Sequence, residues 1–200
     1  MKKNLIDQFF LELDREWKTP AEIILTGAAA GALLGQIRPS TDIDFEIRPL
    51  DKKAGRTHLE EAIQKASAQA GIAVNYSEDI SHWSMIDYLD YRKMALPYKK
   101  IGQLQIKIMA PEYWTIGKMS RFLESDTQDI LKIIRKKRLG AERLAKLWGK
   151  ALRSSPLSLS SGQFRHHVVY FFTHYGRSAW GKDFDLEKII ILFKKEAGLK

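Results

Sequence analysis

Two aspartates separated by one residue, Asp42-Ile43-Asp44, follow an apolar run that ends in Gly27-Ala28. Strands disfavour aspartate, and residues two apart on a strand point to the same face, so this pair asks for something to neutralise it. Acidic pairs of this spacing are common in the chain: Glu12/Asp14, Asp14/Glu16, Glu124/Asp126, Asp183/Asp185 and Asp185/Glu187 share it. The setting of Asp42 and Asp44 is what separates them. They alternate with apolar residues in "TDIDFEI", and the strand–glycine–helix segment "AEIILTGAAAGALLG" comes before them. Gly27 permits a sharp turn and a close approach of a ligand to the backbone. The first N–H groups of the following helix have no acceptor within it and form an anion site. Two carboxylates ~4 Å apart repel by roughly 4 kcal/mol at an effective dielectric of about 20. A hard divalent cation relieves that repulsion and also takes phosphate oxygens. Paired metal ions ~3.5–4 Å apart stabilise both the attacking and the leaving oxygen of a phosphoryl displacement. The chemistry open to this combination is metal-assisted transfer at a phosphate.

The elements that must position these residues follow from periodicity. Leu5, Phe9, Leu13 and Trp17 recur at helical spacing, which predicts a helix over about 3–16. "AEIILTG" reads as a buried strand ending at Gly27, and "AAAGALLGQI" as a small-residue helix closed by Gly35 or by the turn Arg38-Pro39-Ser40. "TDIDFEI" is a strand, residues 56–70 a helix that stops at Gly71, and "IAVNYS" a third strand. "WSMIDYL" reads as a fourth strand, and the strictly alternating "GQLQIKIMA" as another. After Pro111 the pattern is helical over about 112–123, 126–138, 141–152, 162–175 and 185–196. The fold class expected is α+β: a mixed sheet with packed helices, followed by a helical C-terminal segment. Arg153–Gln163, "RSSPLSLSSGQ", is the best candidate for a hinge.

Composition bounds the rest. The 200 residues are 44% hydrophobic and 28% charged, the balance of a globular chain. The absence of cysteine excludes a disulfide framework and a Cys-based zinc site. The longest nearly apolar stretch, Ala28–Leu34, is too short to span a bilayer. Acids interrupt the apolar residues of the N-terminal helix, so it does not read as a signal peptide and the expected location is cytoplasmic. The net charge of +9 is concentrated: between Ile130 and Arg153 nine lysines and arginines stand against Glu142 alone. That run is either a solvated helix face or a surface that attracts a polyanion.

"TGAAAGALLGQIRPSTDIDFEI" resembles the signature of the DNA polymerase beta-like nucleotidyltransferase superfamily: an apolar strand, Gly followed by Gly or Ser, a spacer, then Asp-x-Asp. The second small residue is Ala28 here, which removes a hydroxyl that often touches the triphosphate and keeps the backbone N–H. The resemblance implies a catalytic domain over residues 1–138, with 139–200 a helical C-terminal region. It implies that Gly27 and Ala28 bind the nucleotide, and that Asp42 and Asp44 hold Mg²⁺ or Mn²⁺ with a third carboxylate from a later strand. Asp87 fits best by order; Asp90 and Glu46 are rivals. "APEYWTIGKMSRFLESDTQDILKII" resembles a segment of the branch that includes toxin-like and antitoxin-system enzymes, matched at Lys118, Asp126 and Asp129. There Lys118 would reach nucleotide phosphates as a point charge, with Arg121 beside it. Asp126 has a second reading as a helix N-cap, with Asp129 as its capping-box partner.

The function implied is transfer of a nucleoside monophosphate from an NTP to an acceptor hydroxyl, with RNA held by the basic region 132–153 as the first candidate acceptor and a cognate toxin–antitoxin protein as a partner. The alternative is a catalytically weak module of the same fold that binds nucleic acid or a partner protein. A third class, a small-molecule modifier of the aminoglycoside type, would want an acidic acceptor pocket, and the cation excess argues against it. His166, His167 and His174 read as core or surface histidines before they read as metal ligands. The aromatics from Tyr170 to Trp180 read first as core, with base stacking beside Arg165 and Arg177 as the sharper reading. His82, Trp83, Tyr88 and Tyr91 read first as packing.

Overall fold

The computed structural model describes residues 3–35, 41–51, 56–81 and 83–199. The chain forms two compact units, Met1–Ile80 with Arg92–Ala110, and Ser81–Tyr91 with Pro111–Lys200. The fold is α+β, with one five-stranded mixed sheet.

In the first unit, α1 (Lys3–Trp17) buries Ile6, Phe9, Phe10, Leu13 and Trp17 along one stripe. Strand β1 (Ala21–Leu25) leads into α2 (Gly27–Gly35), and β2 (Asp42–Pro49) returns antiparallel to β1, with Leu25 opposite Phe45. The turn Arg38-Pro39-Ser40 lies outside the described residues. Helix α3 (Arg56–Ala70) packs against α1, and β3 (Ala73–Ser77) lies parallel to β2. A short α4 (Tyr91–Met94) precedes β4 (Leu96–Ile101), which pairs antiparallel with β5 (Leu104–Ile108); β5 lies parallel to β1. The strand order is β3-β2-β1-β5-β4. Side chains alternate across a strand. Ile43, Phe45 and Ile47 face the core, where the Phe45 ring lies 5.6 Å from both Phe9 and Phe10. Asp42, Asp44 and Glu46 therefore occupy the opposite face.

Two sequence expectations need correction here. "WSMIDYL" is not a strand but a run of turns and bends. Met85 and Leu89 are both left-handed, with φ of 58° and 55° respectively, a conformation that cannot continue a strand. The strand that does exist is β4, hidden by Pro97 and two lysines in "LPYKKI". Pro is tolerated at a sheet edge, and β4 is an edge whose pairing shifts register between Pro97 and Lys99.

The second unit is helical beyond Ala110: α5 (Pro111–Arg121), α6 (Glu124–Lys137), α7 (Ala141–Ser154), α8 (Leu159–Trp180) and α9 (Leu186–Glu196). Its core includes Trp114, Met119, Ile134, Trp148, Phe171 and Phe193. The Trp148 indole N–H donates to Thr115 Oγ1 at 3.0 Å, so this large ring is buried with its polar atom satisfied. Helix α8 is longer than periodicity suggests, because Ser158 caps it by accepting the Ser161 N–H. The sequence boundary at 138/139 falls between α6 and α7, within this unit. No helix among the described residues is long and apolar enough to cross a membrane.

Candidate functional site

In the first unit the bend at Gly27 and the acidic pair meet. The Thr26 N–H donates to the Asp44 carbonyl at 2.9 Å, which ties the end of β1 to β2. Gly27 has φ +54°, a left-handed conformation natural to glycine. A Cβ at this position would lie 1.8 Å from Asp44 Oδ2, so the carboxylate rests directly against the Gly27 backbone. The Ala30 N–H donates to the Thr26 carbonyl at 3.0 Å and closes the first turn of α2. The Ala28 and Ala29 N–H groups precede the helical ladder and have no intrahelical acceptor.

Asn75 joins this site from β3, and sequence reasoning missed it. Its Nδ2 donates to Asp42 Oδ2 at 3.1 Å and to Asp44 Oδ1 at 2.9 Å, so both carboxylates converge on one amide. The parallel register sets Asn75 opposite Asp44. The available signal was an asparagine inside a strand, a residue type strands disfavour. Among the described residues no group of three or more His, Cys, Asp or Glu side chains forms a metal-ligand set. Two carboxylates beside the start of α2 still suit Mg²⁺, which binds through one or two carboxylates together with substrate phosphates and waters.

The candidates for a third carboxylate have other contacts. Glu46 is fully buried, at 0% exposure. It accepts from Arg92 Nε at 2.7 Å and Arg92 Nη2 at 3.0 Å, and lies 3.3 Å from Arg48 Nε. Asp87 sits in a turn of the second unit, where its Oδ1 accepts the Leu89 N–H at 2.6 Å and its own N–H donates to Ser155 Oγ. Asp90 belongs to that unit too. On the face shared with Asp44, Lys107 and Arg48 both pair with Glu22, whose carboxyl sits below the usual range; burial opposes ionisation, and the two cations outweigh it.

The remaining site residues gather in the second unit. Lys118, only 5% exposed, places its ammonium 3.0 Å from Asp126 Oδ1 and 2.9 Å from Asp129 Oδ2, with the Trp114 ring 5.1 Å away. Arg121 grips Asp126 through Nε at 2.8 Å and Nη2 at 2.7 Å. Asp126 is not the N-cap: α6 is capped at Leu123, and Asp126, at the third helical position, accepts the Leu123 N–H at 3.4 Å. Asp129 is bonded to Lys118 rather than serving a capping box. Burial pushes the Asp126 pKa up, but hydrogen bonds from Arg121 and Lys118 prevail and hold it below the ordinary value.

The histidines His166, His167 and His174 join no metal-ligand group among the described residues; His82 lies outside those residues. A cavity of about 760 Å³ in the second unit, lined in part by Arg143, Lys146, Trp180, Phe184 and Lys188, contains none of the predicted site residues. Comparison of the chain with protein-family models, curated proteins and solved structures finds no match.

Proposed function

We propose that the protein is a Mg²⁺-dependent nucleotidyltransferase, and that its sheet is of the nucleotidyltransferase type. The observation that carries this reading is the seating of the Asp44 carboxylate against Gly27, with Asp42 drawn to the same point by Asn75. A phosphate held by the first N–H groups of α2 would lie beside the acidic pair, the adjacency that nucleotidyl transfer requires. Asp42 and Asp44 would hold the cation, and Asn75 would fix their orientation. When bound, Mg²⁺ supplies charge stabilisation at the phosphate oxygens. In the reaction an acceptor hydroxyl oxygen bonds to the α-phosphorus, the bond from that phosphorus to the bridging oxygen breaks, pyrophosphate leaves and the hydroxyl proton passes to solvent. RNA is the acceptor class we favour, held by the exposed cations of residues 132–153. In this reading Lys118, Arg121, Asp126 and Asp129 hold the start of α6 to α5.

A second reading is favoured by Ala28, which lacks the hydroxyl that the superfamily often aims at the triphosphate: a module that binds nucleic acid or a partner protein without turnover. One assay separates them. The protein is incubated with each labelled NTP, Mg²⁺ and total RNA, and label transfer and pyrophosphate are measured. Transfer that disappears in Asp42→Ala and Asp44→Ala is the expected result. RNA binding without transfer under every NTP would decide for the module.

A further inference from the structure

Helix α8 presents a ring-bearing face to solvent. Phe164, Val168, Phe171 and Phe172 are buried, while His166, Tyr170, His174 and Arg177 lie on the outer side at helical spacing. Tyr170 remains 39% exposed. Its ring stacks on His174 with centroids 3.8 Å apart and planes 17° apart. A second stack, Phe122 on His167, has centroids 4.7 Å apart and planes 15° apart. Phe122 also meets Tyr170 edge-on at 6.0 Å, so the two stacks adjoin.

These rings are held in place. His174 Nδ1 lies 3.0 Å from the Tyr170 carbonyl, and His167 Nδ1 lies 3.0 Å from the Met119 carbonyl. A carbonyl can only accept, so each imidazole donates its Nδ1–H there. Phe122 adopts φ 53°, uncommon for a bulky residue, and it is this turn at the end of α5 that carries its ring to His167.

The charge along α8 has one sign. The 22 residues of α8 contain no aspartate or glutamate, and Arg165 and Arg177 are exposed on it. Arg135 of α6 donates to the Ser178 carbonyl and hydroxyl at 2.8 Å, which brings the basic end of α6 to α8. Near Phe122 the acids are Asp126, buried and paired, and the exposed Glu124. Exposed or half-buried rings held in fixed orientations, with arginines and no carboxylate on the helix that carries most of them, match a polyanion that offers unpaired aromatic bases.

We propose that this face binds single-stranded RNA, stacking unpaired bases on the Tyr170–His174 and Phe122–His167 pairs while Arg165 and Arg177 take backbone phosphates. The proposal rests on the RNA part of the functional reading above but not on turnover, and it is tested without NTP. Fluorescence anisotropy of the full chain is measured with a labelled single-stranded RNA and with a duplex of the same length, whose bases are stacked and closed to these rings. Tyr170→Ala and His174→Ala are expected to weaken single-strand binding about 5- to 100-fold, the range for loss of one base stack. Tyr170→Phe keeps the ring and is expected to stay within about twofold, and duplex affinity is expected to be unchanged in all three. Both alanine positions are exposed, and circular dichroism is to check that the variants fold. Absence of single-strand binding in the native protein overturns the proposal. So does unchanged affinity in both alanine variants, or an equal loss for single strand and duplex. Nucleotidyl transfer that persists while this test fails would leave the catalytic reading standing and remove only the stacking face.

Discussion

At the scale of single residues, the acidic pair is organised by an amide. Asn75 donates one N–H to each of Asp42 and Asp44 and keeps two like charges at a common point. Residues that orient metal ligands typically change metal affinity or activity by about 10- to 100-fold when removed. Asn75→Ala is therefore expected to weaken Mn²⁺ binding, followed by paramagnetic resonance, by about 10- to 100-fold while the sheet persists. An unchanged affinity would mean that the aspartates need no orienting partner. Gly27, Asp42 and Asp44 were legible in the sequence because the turn, the helix start and the strand that join them are close in the chain. Asn75 was not, because its importance depends on the parallel register that sets it opposite Asp44. No local pattern encodes that register.

At the scale of elements, the sequence showed which segments are helical but not which partners their charges choose. Lys118, Asp126 and Asp129 were noticed by position, yet only packing of α6 on α5 makes them a buried cluster. The false strand at "WSMIDYL" has the same origin: its aromatic and branched residues suit a strand, but left-handed Met85 and Leu89 break the extended chain. In β4 the error reversed, since Pro97 and the lysines imitate a loop at a sheet edge. The buried cluster makes its own prediction. Removing one partner of a buried ion pair leaves an uncompensated charge and costs about 3–5 kcal/mol. Lys118→Met is expected to lose about that much in urea unfolding at neutral pH. Acid provides the sign check. Asp126 is depressed in the folded state relative to 3.8. Its contribution is therefore complete above that value and lost as pH falls through the lower folded value. The native protein should lose stability over that acid range, and Lys118→Met should lose less of it. A larger acid loss in the variant would show that Lys118 does not depress Asp126.

At the scale of the whole molecule, charge and fold are separable. The mixed sheet and the helical core follow from apolar patterning, whereas the net charge of +9 bears on what the protein meets in solution. The basic run from Lys132 to Arg153 is exposed along α6 and α7, at Lys132, Lys136, Lys137, Arg138, Lys146 and Lys150 among others. Cations of this kind bind RNA by displacing condensed counterions, so the logarithm of affinity falls with the logarithm of salt in proportion to the phosphates neutralised. About five contacts to a single strand would reduce affinity roughly 100-fold between ~50 and ~200 mM salt. Lys136→Glu with Lys137→Glu should flatten that slope and weaken binding to all RNA sequences alike, since phosphate contacts carry no base identity. Tyr170→Ala should lower affinity at every salt concentration and leave the slope as it was, because a stacked base releases no counterion. A titration series over salt with both variants distinguishes electrostatic capture from stacking. If the charge reversal leaves the slope unchanged, the basic run is a solvated helix face and the RNA must be sought elsewhere on the protein.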